Sequence, residues 1–141
     1  MITSVTEGTA KDVDRAVAAA KRAYDHSWGL KVPGTERGKL LNKLADLMEA
    51  HADELAAIEA LDNGKTFGWA KNLDVSASIA TIHYYAGWAD KIHGQVIEVD
   101  EGKLAYTRHE PIGVVGQIIP WNFPRMSSSH QFIALRTLRF L

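Results

Sequence analysis

Residues 112–119, Ile-Gly-Val-Val-Gly-Gln-Ile-Ile, form a nearly unbroken apolar run that stops at Pro120. A run of that length and composition reads as a strand covered on both faces, as in a sheet flanked by helices. Such a strand carries backbone donors and acceptors along both edges, and each needs a partner. No second segment of the same kind occurs in the 141 residues, and helical patterns fill the region before it. The sequence therefore predicts an incomplete α/β fold: an N-terminal helical part followed by the first buried strand of a larger sheet.

The helical patterns are specific. Thr9-Ala10-Lys11-Asp12 places a hydroxyl at an N-cap with an acid three residues on, a variant of the capping box. Val13, Ala16, Val17, Ala20 and Tyr24 then recur at helical spacing until Trp28, Gly29 and Pro33 break the pattern. A second helix is expected from about residue 35, with Leu40, Leu41, Leu44, Leu47 and Met48 on its apolar face. A third is expected to run to Leu61 or Asp62, with Leu55, Ile58 and Leu61 turned inward. Gly64 after Asn63 suits the left-handed position that ends a helix. Asn-Gly is also a hairpin signal, but the helical period before it and the lack of a strand pattern after it favour the cap. A fourth helix is expected over residues 74–93, with Val75, Ile79, Ile82, Ala86, Ala89 and Ile92 as its stripe and Gly94 as its stop.

Beyond Gly94 the period changes. Residues 95–99 and 103–109 are rich in β-branched and aromatic side chains and flank Asp100-Glu101-Gly102, which predicts a β-hairpin over 95–109. Glu98, Asp100, Glu101, Lys103 and Arg108 suit an edge that meets water or a partner. Sixteen basic and seventeen acidic residues leave a net charge of −1, so charge makes no case for nucleic acid or a membrane surface. No run approaches the ~20 apolar residues that span a bilayer. The six histidines show no pairing at metal-ligand spacing, and with no cysteine in the chain no disulfide or thiolate site is available; no metal is expected. The first residues show no basic-then-apolar leader, so the cytoplasm is the expected compartment, with a processed organellar form as the alternative. Gly113 and Gly116 lack the dinucleotide-loop fingerprint and are expected to mark close packing of a neighbouring backbone. Tyr84, Tyr85 and Trp88 are expected to pack in a core or an interface.

Several segments share one resemblance. They are Asp12-Val13-Asp14-Arg15-Ala16-Val17, Glu36-Arg37-Gly38-Lys39-Leu40-Leu41, Leu61-Asp62-Asn63-Gly64-Lys65, Tyr84-Tyr85-Ala86-Gly87-Trp88, Tyr106-Thr107-Arg108-His109-Glu110-Pro111, and residues 113–124 ending Ile119-Pro120-Trp121-Asn122-Phe123-Pro124. In this order and spacing they resemble the NAD(P)-dependent aldehyde dehydrogenase superfamily over about residues 2–124. The resemblance implies that residues 1–124 are part of an N-terminal, cofactor-binding region with an oligomerisation-type hairpin at 95–109. It implies oxidation of an aldehyde to a carboxylate with NAD or NADP. Asn122 falls on the residue that stabilises the oxyanion, and Ile118, Ile119, Pro120 and Trp121 fall where the family lines its dinucleotide site. Trp88 falls near the substrate tunnel. Homo- or hetero-oligomers through the hairpin are implied as well.

Two departures shape the functional expectation. The nucleophilic cysteine, the glutamate base, the phosphate-contacting lysine and the glycine-containing cofactor motif of the family have no counterpart here, so the chain alone is expected to be inactive and not to hold the dinucleotide. Residues 125–141 do not continue the pattern. Arg125-Met126-Ser127 can be encoded across GTATGT, a splice-donor sequence, so this divergent tail is read as retained-intron or out-of-frame sequence. A second reading makes the chain a non-catalytic interaction protein that pairs with a full-length homologue through its hairpin.

Overall fold

The structure, a computed structural model, describes residues 2–29 and 32–124. Residues 125–141, expected to be a divergent tail, lie outside them. The elements are α1 (Ala10–His26), α2 (Gly34–Ala50), α3 (Ala52–Asn63), the short α4 (Phe67–Trp69), a π-helical turn (Ala70–Val75), α5 (Ser76–Trp88), β1 (Val96–Ile97) and β2 (Ala105–Tyr106). Trp69, Ala70, Val75 and Ser76 all keep right-handed helical backbone angles, so α4, the π-helical turn and α5 run on as one rod.

The core lies between α2 and that rod. Leu41 and Ala45 of α2 meet Ile82 and Ala86 of α5, with Met48, Ile79 and Tyr85 packed around them. A second cluster joins Ala56 of α3 to Ala70 and Val75 of the π-helical turn, and Ile79 touches both clusters. The stripe predicted for the last helix is thus the buried one: Val75, Ile82, Ala86 and Ala89 are buried, and Ile79 and Ile92 half-buried. That helix stops earlier than expected. Arg37, itself buried, donates from Nη2 to the Ala89 carbonyl at 3.2 Å and from Nη1 to the Val32 carbonyl at 2.5 Å, which captures the helix end against α2.

On α2 and α3 the apolar faces differ from the sequence expectation. Leu40, Leu44 and Leu47 stay exposed while Leu41, Ala45 and Met48 turn inward. On α3 the inward residues are Ala52, Leu55, Ala56, Glu59 and Ala60, and Ile58 and Leu61 face solvent. Each helix carries apolar residues on two sides, and the described residues cover only one of them. The helix α1 has no buried residue at all. Its local signal nonetheless holds: the Thr9 amide and hydroxyl both donate to the Asp12 carboxylate, at 2.9 and 2.7 Å. Gly64 ends α3 in the left-handed region at φ 77°, its N–H bonded to the Ala60 carbonyl.

The hairpin forms with the expected pairing but a short ladder, Val96 opposite Tyr106 and Ile97 opposite Ala105. The turn closes from the Lys103 N–H to the Asp100 carbonyl, and Gly102 takes φ +85° within it.

Residues 112–119 do not form a buried strand. They pair with no strand among the described residues, and Ile118 is 94% exposed. The physical reason is the one that makes the run informative: a two-faced strand needs a neighbour on its edges and a layer on each face, and the described residues supply neither. Gly113, at φ +106°, also turns the backbone out of strand geometry. Among the described residues no neighbouring backbone packs against Gly113 or Gly116, contrary to expectation. The Tyr24 hydroxyl donates to the Pro111 carbonyl at 3.3 Å and pins the start of the segment to α1.

Candidate functional site

Asn122 sits in the turn that follows Pro120, with its side chain exposed. Two features of the α3 end hold this turn. Asn63, the last residue of α3, donates from Nδ2 to the Trp121 carbonyl at 2.7 Å and reaches the Asn122 carbonyl at 3.4 Å. Lys65, one residue past the Gly64 cap, lies over the Phe123 ring with Nζ 3.8 Å from its centroid. The backbone of the turn is therefore tied from behind. Among the described residues no hydrogen bond uses the Asn122 side chain, so its amide is free to donate outward.

Lys65 is itself seated by acids. Its Nζ lies 2.5 Å from Asp74 Oδ2 and 3.9 Å from Glu59 Oε1. Asp74 is fully buried in the π-helical turn and the Lys65 side chain is 16% exposed. A buried carboxylate is costly without an opposite charge, so Asp74 and Lys65 constrain each other's position. A π-helical turn is itself uncommon and often marks a functional place.

The four residues expected to line a dinucleotide site lie in sequence along the same segment. Ile118 and Trp121 are strongly exposed, Pro120 is exposed and Ile119 is half-buried. All four are largely apolar, and three of them face water. These residues offer apolar surface to a dinucleotide, and the Trp121 indole N–H is the one donor among the four side chains; none of the four carries a positive charge for its phosphates, and the nearby Lys65 is committed to Asp74. Trp88 and Tyr84 are exposed, Tyr85 alone reaching the core, with Tyr84 edge-on to Tyr85 at 5.2 Å.

Sequence reasoning named Asn122 and missed the parts that hold it. Asn63 and Lys65 were visible only as members of a family-like segment. Glu59 and Asp74 carried a signal of their own: each is an acid falling on the buried face of its helix.

The comparison with known proteins decides the family. The model of the aldehyde dehydrogenase family matches residues 1–136. The chain belongs to the aldehyde dehydrogenase family. The match reaches into the tail beyond Pro124, whereas alignments with individual relatives cover 123 to 126 residues. The chain is 64% identical over 124 residues to an aldehyde dehydrogenase of Agaricus bisporus, covering 88% of this chain and 25% of that protein. It is 63% identical to an aldehyde dehydrogenase of Emericella nidulans, covering 88% of this chain and 24% of that one. The NAD+ complex of an aldehyde dehydrogenase from Bacillus cereus superposes with a TM-score of 0.91 at 48% identity, over 94% of this chain and 27% of that one. The chain thus spans about a quarter of the length of the curated relatives it matches, and its fold is an incomplete N-terminal part of the aldehyde dehydrogenase fold.

Proposed function

We propose that Asn122 is the oxyanion-stabilising residue of an aldehyde oxidation that uses NAD or NADP, carried here in a chain that is inactive on its own. The observation that supports it most is the arrangement of the 121–123 turn: the Trp121 and Asn122 carbonyls accept from Asn63, while Asn122 is exposed and its side chain makes no hydrogen bond among the described residues. In this reading the Asn122 amide donates to the alkoxide that develops as a nucleophile adds to the aldehyde. A neutral donor suits a charge that appears only transiently, and one such donor is worth about 3 kcal/mol of transition-state stabilisation. The nicotinamide, when bound, supplies the hydride acceptor, and Ile118, Ile119, Pro120 and Trp121 would form one wall of its site. The chain has no cysteine to add to the aldehyde, and covalent addition is the route of the reaction. We propose the cytoplasm as its compartment, with a processed organellar form as the alternative; fractionation with an organellar marker separates the two.

Purified chain mixed with propanal and NAD is expected to show no NAD reduction above background. NAD reduction that disappears in Asn122→Ala would overturn the inactive reading. The oxyanion role is tested by co-refolding with the complementary segment of a full-length homologue. Activity is expected with the native chain and should fall about a hundredfold or more with Asn122→Ala; equal activity rejects the role.

A second reading has its own observation. The two-stranded sheet of β1 and β2 leaves both outer edges unpaired among the described residues, with Val96 and Tyr106 exposed. An exposed edge can take another strand, so the hairpin would pair this chain with a full-length homologue and modulate assembly. Co-expression and pull-down with that homologue tests this, and failure to co-purify removes it.

A further inference from the structure

We propose that Asn63 and Lys65 form a positioning clamp for the Trp121–Asn122–Phe123 turn, seated by Asp74 in the π-helical turn. The catalytic consequence of the clamp rests on the oxyanion reading of Asn122; its existence does not.

The argument is geometric. The segment that leads to the turn is anchored at Pro111 by Tyr24 and is otherwise exposed or half-buried, with no ladder among the described residues to hold its far end. A turn at the end of such a segment would sample many orientations. Three contacts from the α3 end stop it. Asn63 takes the Trp121 carbonyl at 2.7 Å and the Asn122 carbonyl at 3.4 Å, fixing the peptide planes on either side of the Asn122 α-carbon. Lys65 covers the Phe123 ring at 3.8 Å and fixes the residue that follows. Gly64 between them adopts φ 77°, which sends the chain from the helix end back toward the turn and lets two neighbours of one glycine grip three consecutive residues.

The clamp needs Lys65 to stand still. A lysine on an exposed loop has about four free torsions and would lose its stacking geometry. Here Asp74 holds Nζ at 2.5 Å and Glu59 lies 3.9 Å away, both from buried positions on two different helical elements. The wider π-helical turn carries Asp74 on its buried side, against α3, where Lys65 can reach it.

The test uses the full chain and needs no aldehyde chemistry. The Phe123 ring shifts the Lys65 ε-protons upfield in proportion to the clamped population, and Phe123→Leu supplies the zero. In Asn63→Ala, which removes no contact of Lys65, the unclamped-to-clamped ratio should rise about two- to tenfold, read as movement of the Lys65 shift toward its Phe123→Leu value. Asp74→Asn should move it in the same direction, and Lys65→Arg should keep the ring contact, seen on the arginine δ-protons. Helical circular dichroism unchanged in Asn63→Ala and Phe123→Leu separates the clamp from global stability. A native Lys65 shift equal to that of Phe123→Leu, or one that ignores Asn63→Ala, overturns the proposal. If the clamp is found and complementation activity ignores Asn122→Ala, the oxyanion reading fails and the clamp stands.

Discussion

Gly38 of α2 lies so close to Ala86 of α5 that a methyl group on Gly38 would sit 2.8 Å from the Ala86 carbonyl oxygen. The obstacle is backbone, which cannot swing aside. Gly38→Ala therefore sets a helix-propensity gain of about 1 kcal/mol against an overpacking cost of about 1–3 kcal/mol, and the clash is expected to win. Urea denaturation should show a net loss. Gly87→Ala is the control: its added methyl meets nothing within 4 Å, so it should stabilise by about 0.5–1 kcal/mol.

Ile82 is 1% exposed between α2 and α5. Ile82→Val should cost about 0.5–1.5 kcal/mol and Ile82→Ala about 2–5 kcal/mol. Leu40, on the uncovered face of α2, is 52% exposed, and Leu40→Ala should stay within about 0.5 kcal/mol. Denaturation midpoints of the three variants read out which face of α2 is covered.

The Asp12 carboxyl is held below its ordinary value by the Thr9 backbone N–H and then by the Thr9 hydroxyl, both of which favour the charged form. A folded-state value below the unfolded one means the stabilisation is complete above the ordinary value of 3.8 and is lost as pH falls through the lower, folded-state value. The first turn of α1 should fray in acid over that window. Amide chemical shifts of residues 9–13 followed by pH titration should show the transition in the native chain and a flat profile in Asp12→Asn. Superimposable profiles would show that the cap contributes nothing.

Leu47, Ile58, Leu61, Ile112 and Ile118 present apolar surface to water. Surface of that extent on a small chain favours dye binding and self-association. Purified chain should enhance the fluorescence of a hydrophobic dye, and Ile118→Lys should reduce that signal without moving the thermal midpoint. Absence of dye binding in a sharply melting monomer would count against the exposed arrangement of residues 112–119.

The features legible in the sequence share a physical origin. The Thr9–Asp12 cap, the Gly64 cap, the stripe from Val75 to Ala89 and the hairpin register each depend on hydrogen bonds or periodicities within a few residues, so the local sequence contains everything that forms them. Asn122 was legible for another reason: it stands in a motif whose order and spacing mark the family. Its supports were not, because nothing local distinguishes a lysine that stacks on a ring from one that points into water.

By itself the sequence determined the presence of the four main helices, the Thr9–Asp12 and Gly64 caps, the hairpin and the family. Tertiary structure alone decided which of two apolar faces α2 and α3 bury, that residues 112–119 lie uncovered among the described residues, and that Asn63 meets Trp121 across 58 positions of chain. Face selection depends on which neighbour arrives, and a contact over that separation leaves no periodic mark at either end.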